Sequence, residues 1–327
     1  MTSSLIKVLA ACAAGVLGCV APAGAQDQAF PSRPLRLVVP YPPGGTIDTV
    51  ARILSPRIAA TLKQPVVVEN RPGGGTIIGT DAVAHAAPDG YTMLMGSNSA
   101  FTIAPHLQAK LPYDTLKSFA PITMLLSLPN VVAVPANAPY KTLADLLAVA
   151  RKEPGKLSYA SFGNGTTAHL SGESLKASAG VDIQHVPYNG SGAEQTSIMR
   201  GDVAFGFDTV TNVLPRVRGG QMRALAVTSR RRATALPNVP TAAEAGVPNV
   251  DVTAWIGLFV PAGTPAAAQQ QLGQAVAAAM ADEEVKKRIA DFGADVYPLG
   301  ATEVRQLITE ESTRFAGLIK RANIRVD

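Results

Sequence analysis

Cysteine is almost missing from this chain. Both copies, Cys12 and Cys19, fall within the first 25 residues, a stretch that reads as a cleavable leader. A chain cut after Ala25 keeps none, which excludes a disulfide framework, a thiolate nucleophile and a cysteine metal site. Charge is scarce too, at 16% of residues, and aromatics make up 5%, with one tryptophan. No stretch reaches the ~20 apolar residues of a permanent bilayer span; the longest run, Val8 to Val20, belongs to the leader. The four histidines, His85, His106, His169 and His185, show no H-x-x-x-H spacing, so no metal site and no cofactor is expected. No G-x-S-x-G elbow exists, and "NGSGAEQ" fails its spacing. The glycines of "VVPYPPGGTIDTVARIL" match neither a Walker loop nor the dinucleotide fingerprint, since only Gly44-Gly45 is present and no lysine follows.

The leader itself, "MTSSLIKVLAACAAGVLGCVAPAGA", has one lysine, an apolar run and Ala23-Gly24-Ala25, a small-residue cleavage pattern. Export to the periplasm follows, with residues 1–25 as signal peptide. Val16-Leu17-Gly18-Cys19 loosely resembles a lipoprotein box, but leucine beside the glycine fits it poorly and the cut after Ala25 is preferred. The full chain of 327 residues is 47% hydrophobic, enough for two domains with their own cores. The formal charge of +5 falls to +4 when Lys7 leaves. Arg230-Arg231-Arg232 has no interleaved aromatics and reads as a solvated loop, so nucleic acid is not an expected partner.

From Leu35 on, β-branched runs such as "LRLVV", "PVVVEN" and "YTMLMGS" alternate with helical patterns such as "TVARILSPRIAATL", the rhythm of sheets covered by helices. The alternation resumes from "KTLADLLAVARKE" to "MRALAVTS", and three further helices close the chain. Thr142 with Asp145 and Thr241 with Glu244 have capping-box spacing, and Thr264-Pro265 reads as a cap with proline in the first turn. "PITMLLSLPNVVAVPANAP" reads as two extended runs interrupted by Pro129, and "MRALAVTS" as a second crossing. A chain that leaves one lobe, builds another and returns gives residues 31–127 with 229–327 as one lobe and 128–228 as the other. Ligands of open α/β sheets sit at the carboxyl ends of the strands, here in the gap between the lobes.

Three loops follow predicted strands and open helices: Tyr41 to Asp48, Gly96 to Thr102 and Ser161 to His169. Each is rich in glycine, hydroxyls or amides and poor in charge, a composition that serves either a plain turn or an anion held by backbone N–H groups. Asp208, after "DVAFGF", could face the same gap or cap a helix. Asp48 sits in a first helical turn, where a carboxylate favours the dipole. Trp255 reads as core or hinge packing.

"YPPGGTIDTVAR", "VVVENRPGGGTIIGTDAVAHAAPDGYTML", "SFGNGTTAHLSGE", "HVPYNGSGAEQTSIMRGDVAFGFD", "RALAVTSRRRATALPNVPTAAEAGV" and "WIGLFVPAGTP" together resemble the Bug-type solute-binding proteins of tripartite tricarboxylate transporters. The resemblance covers nearly all of the mature chain. It implies a two-lobed, type II-like periplasmic binding protein, each lobe a mostly parallel sheet covered by helices, monomeric and without enzymatic activity. The implied ligand is a small organic carboxylate, passed to the membrane permease subunits. By the same resemblance one carboxylate is held by backbone amides and ordered waters. These map to Tyr41, Pro43, Gly44 and Gly45 with Asp48, and to Ser161, Phe162, Gly163, Asn164, Gly165, Thr166 and Thr167. Ser97, Asn98, Thr102 and Asp208 would then select the ligand. Phe162 stands where a small or polar residue is expected; with Phe101 and Phe207 nearby it could favour an aromatic or longer apolar acid, or it could simply pack. A receptor that feeds a sensor kinase, or an exported α/β enzyme acting on organic acids, are the other readings.

Overall fold

The computed structural model describes residues 30–325, so the leader, its cleavage site and Cys19 lie outside the described residues. Each lobe-forming run folds for a local reason. In β1 (Leu35–Val39) Leu37 and Val39 enter one core while Val38 enters another, as expected of a strand buried on both faces. β2 (Val66–Asn70) and β3 (Thr92–Ser97) flank it in parallel, joined by α1 (Thr46–Leu62) and α2 (Ile77–Ala84). A π-helical turn, Ser99–Ile103, and the short α3 (Ala104–Leu107) follow.

β4 (Phe119–Pro135) then runs through the middle of the molecule. Beyond it come α4 (Leu143–Lys152), β5 (Ser158–Ser161), α5 (Thr167–Ala179), β6 (Gln184–Pro187), α6 (Ser191–Arg200), β7 (Phe205–Thr209), α7 (Val210–Arg218) and β8 (Met222–Val227). The chain returns through β9 (Thr253–Pro261), α8 (Ala266–Ala281), α9 (Glu283–Asp291), the two-residue β10 (Asp295–Val296) and α10 (Ala301–Arg321).

The strands form one curled path, β2-β1-β3-β9-β4-β7-β5-β6, with β8 and β10 also paired to β4. Parallel pairing holds at β2-β1-β3 and β6-β5-β7, where helical crossovers were read in the sequence. The crossing strands add antiparallel pairs that alternation alone did not reveal. Pro129 does not interrupt the middle segment. It lies inside β4 at the switch of partner: residues 119–129 pair with β9, and Asn130 begins the pairing with β7. A proline lacks the N–H a ladder needs, so it suits the place where one ladder ends.

Each lobe has its own apolar cores. Leu37, Leu54, Met93, Leu126, Leu258 and Leu272 bury one side of the first lobe, and Leu146, Tyr159, Phe205, Phe207 and Leu225 bury the second. Each such side chain contributes roughly 1.5–3 kcal/mol by leaving water. Phe101 and Phe207 are fully buried, Phe101 stacking on Phe259 at 4.2 Å, so both pack in the core. The capping box at Thr142 and Asp145 is complete. Thr241 and Glu244 bond reciprocally as well, but over a series of turns instead of a helix. Thr264 donates its hydroxyl to Pro261 O at 2.8 Å, and α8 begins after Pro265 without a side-chain cap.

Candidate functional site

The first loop is fastened from beneath. Gly44, at φ +82°, takes a left-handed turn that side chains with a Cβ resist, and Gly45 caps α1 with no side-chain hydrogen bond to it. Asp48, buried one turn inside, accepts from Gly44 N at 2.8 Å, Arg52 Nε at 3.0 Å and Asn70 Nδ2 at 2.9 Å. Asn70 Nδ2 also donates to Tyr41 O at 3.1 Å. The Arg52 guanidinium, followed by the Gly44 and Asn70 donors, holds the Asp48 carboxyl down at about 2 against its burial. The Arg52 guanidinium and the Gly44 N–H are therefore both committed to Asp48 beneath the loop.

The second loop meets the first: Tyr41 and Ser97 share a hydroxyl hydrogen bond of 2.6 Å. Asn98 donates from Nδ2 to Thr253 O at 3.1 Å. Gly96 is required by close approach, because a Cβ there would lie 2.7 Å from both Phe101 and Phe259. Thr102, taken from the sequence as a ligand contact, is instead fully buried and donates to Glu311 Oε2 at 2.7 Å.

In the third loop most donors are spent internally. Gly163 N donates to Ser161 Oγ, Gly165 N to His169 Nδ1 and the Thr166 hydroxyl to Gly163 O. Thr166 caps α5 by accepting from His169 N. Ser161 is fully buried, its Oγ 2.7 Å from His185 Nε2. Asn164 is exposed. Behind the loop His169 and His185 stack at 3.8 Å, with Tyr159 over His185 at 4.8 Å. Burial pushes His169 down to about 4 and His185 to about 3.

These loops open on a cleft of about 560 Å³ lined from both lobes. Of the sequence-derived residues, Tyr41, Pro43, Gly44, Gly45, Ser97, Asn98, Phe162 and Thr167 line it; Asp48, Thr102, Ser161, Gly163, Asn164, Gly165, Thr166 and Asp208 do not. Asp208 is fully buried behind it and accepts from Thr209 N at 2.7 Å, Asn212 Nδ2 at 2.8 Å, Gln195 Nε2 at 3.0 Å and the Ser191 hydroxyl. What reaches the cleft there is the start of α7: Thr209, Thr211 and Asn212. Sequence reading missed these three, although "DTVTN" is a fourth strand-to-helix junction of the same polar composition. Leu128, Ala254 and Trp255 form an apolar floor.

Two helix N-termini without side-chain caps, those of α1 and α7, thus face one cleft from opposite lobes. Such ends carry unpaired N–H groups and the positive dipole end, a ready site for a carboxylate. Among the described residues no lysine or arginine lines the cleft, and no group of three potential metal ligands occurs. Ser161 and His185 pair a hydroxyl with an imidazole behind the third loop, but Ser161 is fully buried and does not line the cleft.

Residues 50–324 match the family model of the tripartite tricarboxylate transporter family receptor, TctC. BugT of Bordetella pertussis is 34% identical over 310 residues, 94% of each chain. Among solved structures, Rpa4515 of R. palustris with adipate has 31% identity and a TM-score of 0.79, covering 90% of this chain and 99% of that one. MatC of Rhodopseudomonas palustris with bound malate has 34% identity and a TM-score of 0.75, covering 89% and 100%. The chain therefore belongs to the tripartite tricarboxylate transporter receptor family, the TctC and Bug kind of periplasmic solute-binding protein.

Proposed function

We propose that this receptor binds a small organic carboxylate in the interlobe cleft and delivers it to the permease of a tripartite tricarboxylate transporter. One observation carries the reading: the uncapped starts of α1 and α7 open into the same cleft, which no cation lines. Held by main-chain donors alone, an acid is bound with modest strength and released quickly, as a carrier requires, whereas a bidentate arginine would retain it. The two bodies that close are residues 31–127 with 229–327, and 128–228, except that Ala233, Leu236, Ala242, Val247 and Val250 pack into the clusters of the second body, so the stretch that carries them moves with it. Gly45 and the first turn of α1 offer the donors for one carboxylate, Tyr41, Pro43 and Gly44 wall the loop around it, and Asp48 holds that loop. Ser97, Asn98, Phe162, Thr167 and the α7 start, which Asp208 supports, meet the rest. The apolar floor and Phe162 suit a ligand with a hydrocarbon middle. Adipate and malate in the two relatives are both dicarboxylates, which supports the class. A leader cleaved after Ala25 would deliver the chain to the periplasm.

Thermal melts of the mature protein against a panel of mono-, di- and aromatic carboxylates, adipate and malate included, test this. An acid at ~100 times its dissociation constant adds about 2.7 kcal/mol, raising the melting temperature of a chain of this length by about 4 °C. No shift with any acid of the panel would reject the reading.

A further inference from the structure

Glu311, on α10, is 3% exposed and lies behind the cleft, outside its lining. One of its oxygens, Oε2, accepts two hydrogen bonds: Trp255 Nε1 at 2.8 Å and the Thr102 hydroxyl at 2.7 Å. These donors belong to different walls. Trp255 is on β9 and forms the cleft floor. Thr102 sits in the turn that begins at Asn98, whose carbonyl is also 3.2 Å from the Thr102 hydroxyl. With one proton to give, that hydroxyl donates to the closer carboxylate oxygen. Asn98 in turn holds Thr253 on β9, so the two walls are joined at the front by Asn98 and at the back by Glu311.

The other carboxylate oxygen, Oε1, has only the Arg314 guanidinium, 3.7 Å away, and Arg314 is shared with Asp251. Burial, against the two donors and Arg314, pushes Glu311 up to about 7. A carboxyl in such surroundings is costly, and an apolar side chain of similar volume would serve packing as well or better. The same helix packs Phe315 and Ile319 into one cluster with Ile103 of the turn and Leu170 of α5 in the other lobe.

We propose that Glu311 is a positioning residue for the ligand cleft, a single oxygen setting the spacing between the Trp255 floor and the second loop. The claim rests on the cleft being the ligand site, and it has a readout that does not depend on any ligand. Trp255 is the sole tryptophan, so its indole N–H gives one resolved proton–nitrogen signal.

Three variants of the full mature chain decide it: Glu311→Leu, which removes the acceptor; Glu311→Gln, whose amide oxygen can still accept; and Leu272→Ala, which destabilises the first-lobe core from α8, outside the cleft lining. Affinity for adipate and for malate is measured by calorimetry beside the melting temperature. Glu311→Leu is expected to weaken binding about tenfold, because the Trp255 N–H loses its acceptor and the Thr102 hydroxyl turns to Asn98 O, while Glu311→Gln stays within about threefold of the parent. Leu272→Ala is expected to melt earlier with affinity unchanged, which separates positioning from general stability. The indole proton signal should shift upfield and exchange faster in Glu311→Leu only. If Glu311→Leu does not fold, Thr102→Val and Trp255→Phe carry the test: each weakens binding, and the double variant loses less than the sum. If the parent binds neither acid, the carboxylate reading is in question and the indole signal alone decides. An unchanged indole signal in Glu311→Leu, affinity unchanged in Glu311→Leu, or a Glu311→Gln as impaired as Glu311→Leu would each overturn the proposal.

Discussion

Glu194 lies fully buried beside Asp208 with both of its carboxylate oxygens unpaired. Burial first, and the charge of Asp208 second, push it up to about 10. The folded protein therefore keeps a proton that the unfolded chain loses above about pH 4.3. The sign follows: the contribution of Glu194 is complete below that value and declines as pH rises toward 10, because unfolding releases a proton throughout that window. Glu194→Gln keeps the shape and the neutral state without the titration. Its melting temperature relative to the parent is expected to rise steadily from about pH 5 to about pH 9; a constant difference across that range would show that Glu194 is ionised in the fold. Asp48 behaves oppositely, since Arg52 holds it at about 2, and what it adds to stability is lost only as pH falls from about 4 toward 2.

The start of α7 shows what a single element owes to its support. Four donors converge on Asp208, two of them from Thr209 and Asn212, which line the cleft. Because Asp208 is buried behind that end of the helix, outside the cleft lining, Asp208→Ala should weaken every acid that the parent binds alike, by about tenfold, as buried donors are left without an acceptor. Calorimetry with two acids that bind the parent checks it; a change in their ratio would instead mean that Asp208 reads the ligand. The elements themselves were legible where periodicity and capping chemistry are local: β1, α1 and the box at Thr142 and Asp145 appear as read. What escaped is non-local. The hydroxyl of Thr102 looked free in "GSNSAFT", and only the arrival of α10 some two hundred positions later gives it Glu311. The amides of Gly163 and Gly165 looked available until folding brought Ser161 Oγ and His169 Nδ1 against them. Conversely, Thr209, Thr211 and Asn212 carried the right composition in plain view.

For the molecule as a whole, the cleft lies where the sheet path passes from β9 through β4 to β7. Its floor residues Leu128 and Trp255 sit on those central strands. An acid that engages both α1 and α7 draws the lobes together, so the radius of gyration in solution scattering is expected to fall on addition of a binding acid; an unchanged scattering profile at saturation would mean a cleft already closed. The two-lobed plan was readable from the order of strands and helices, but not the route between lobes, because a proline inside an extended run looks like a break when its neighbours are unknown. In the fold β4 continues through Pro129, and the return crossing is stitched to it, Thr228 N donating to Asn130 O at 2.9 Å and the Thr228 hydroxyl to Val252 O at 2.6 Å. The lobes are thus joined by the continuous β4 and by a return path bonded to it at Thr228, so a swing of one against the other would twist that ribbon. Such a joint would act as a torsion spring, resisting closure slightly and favouring the open arrangement whenever nothing bridges the jaws.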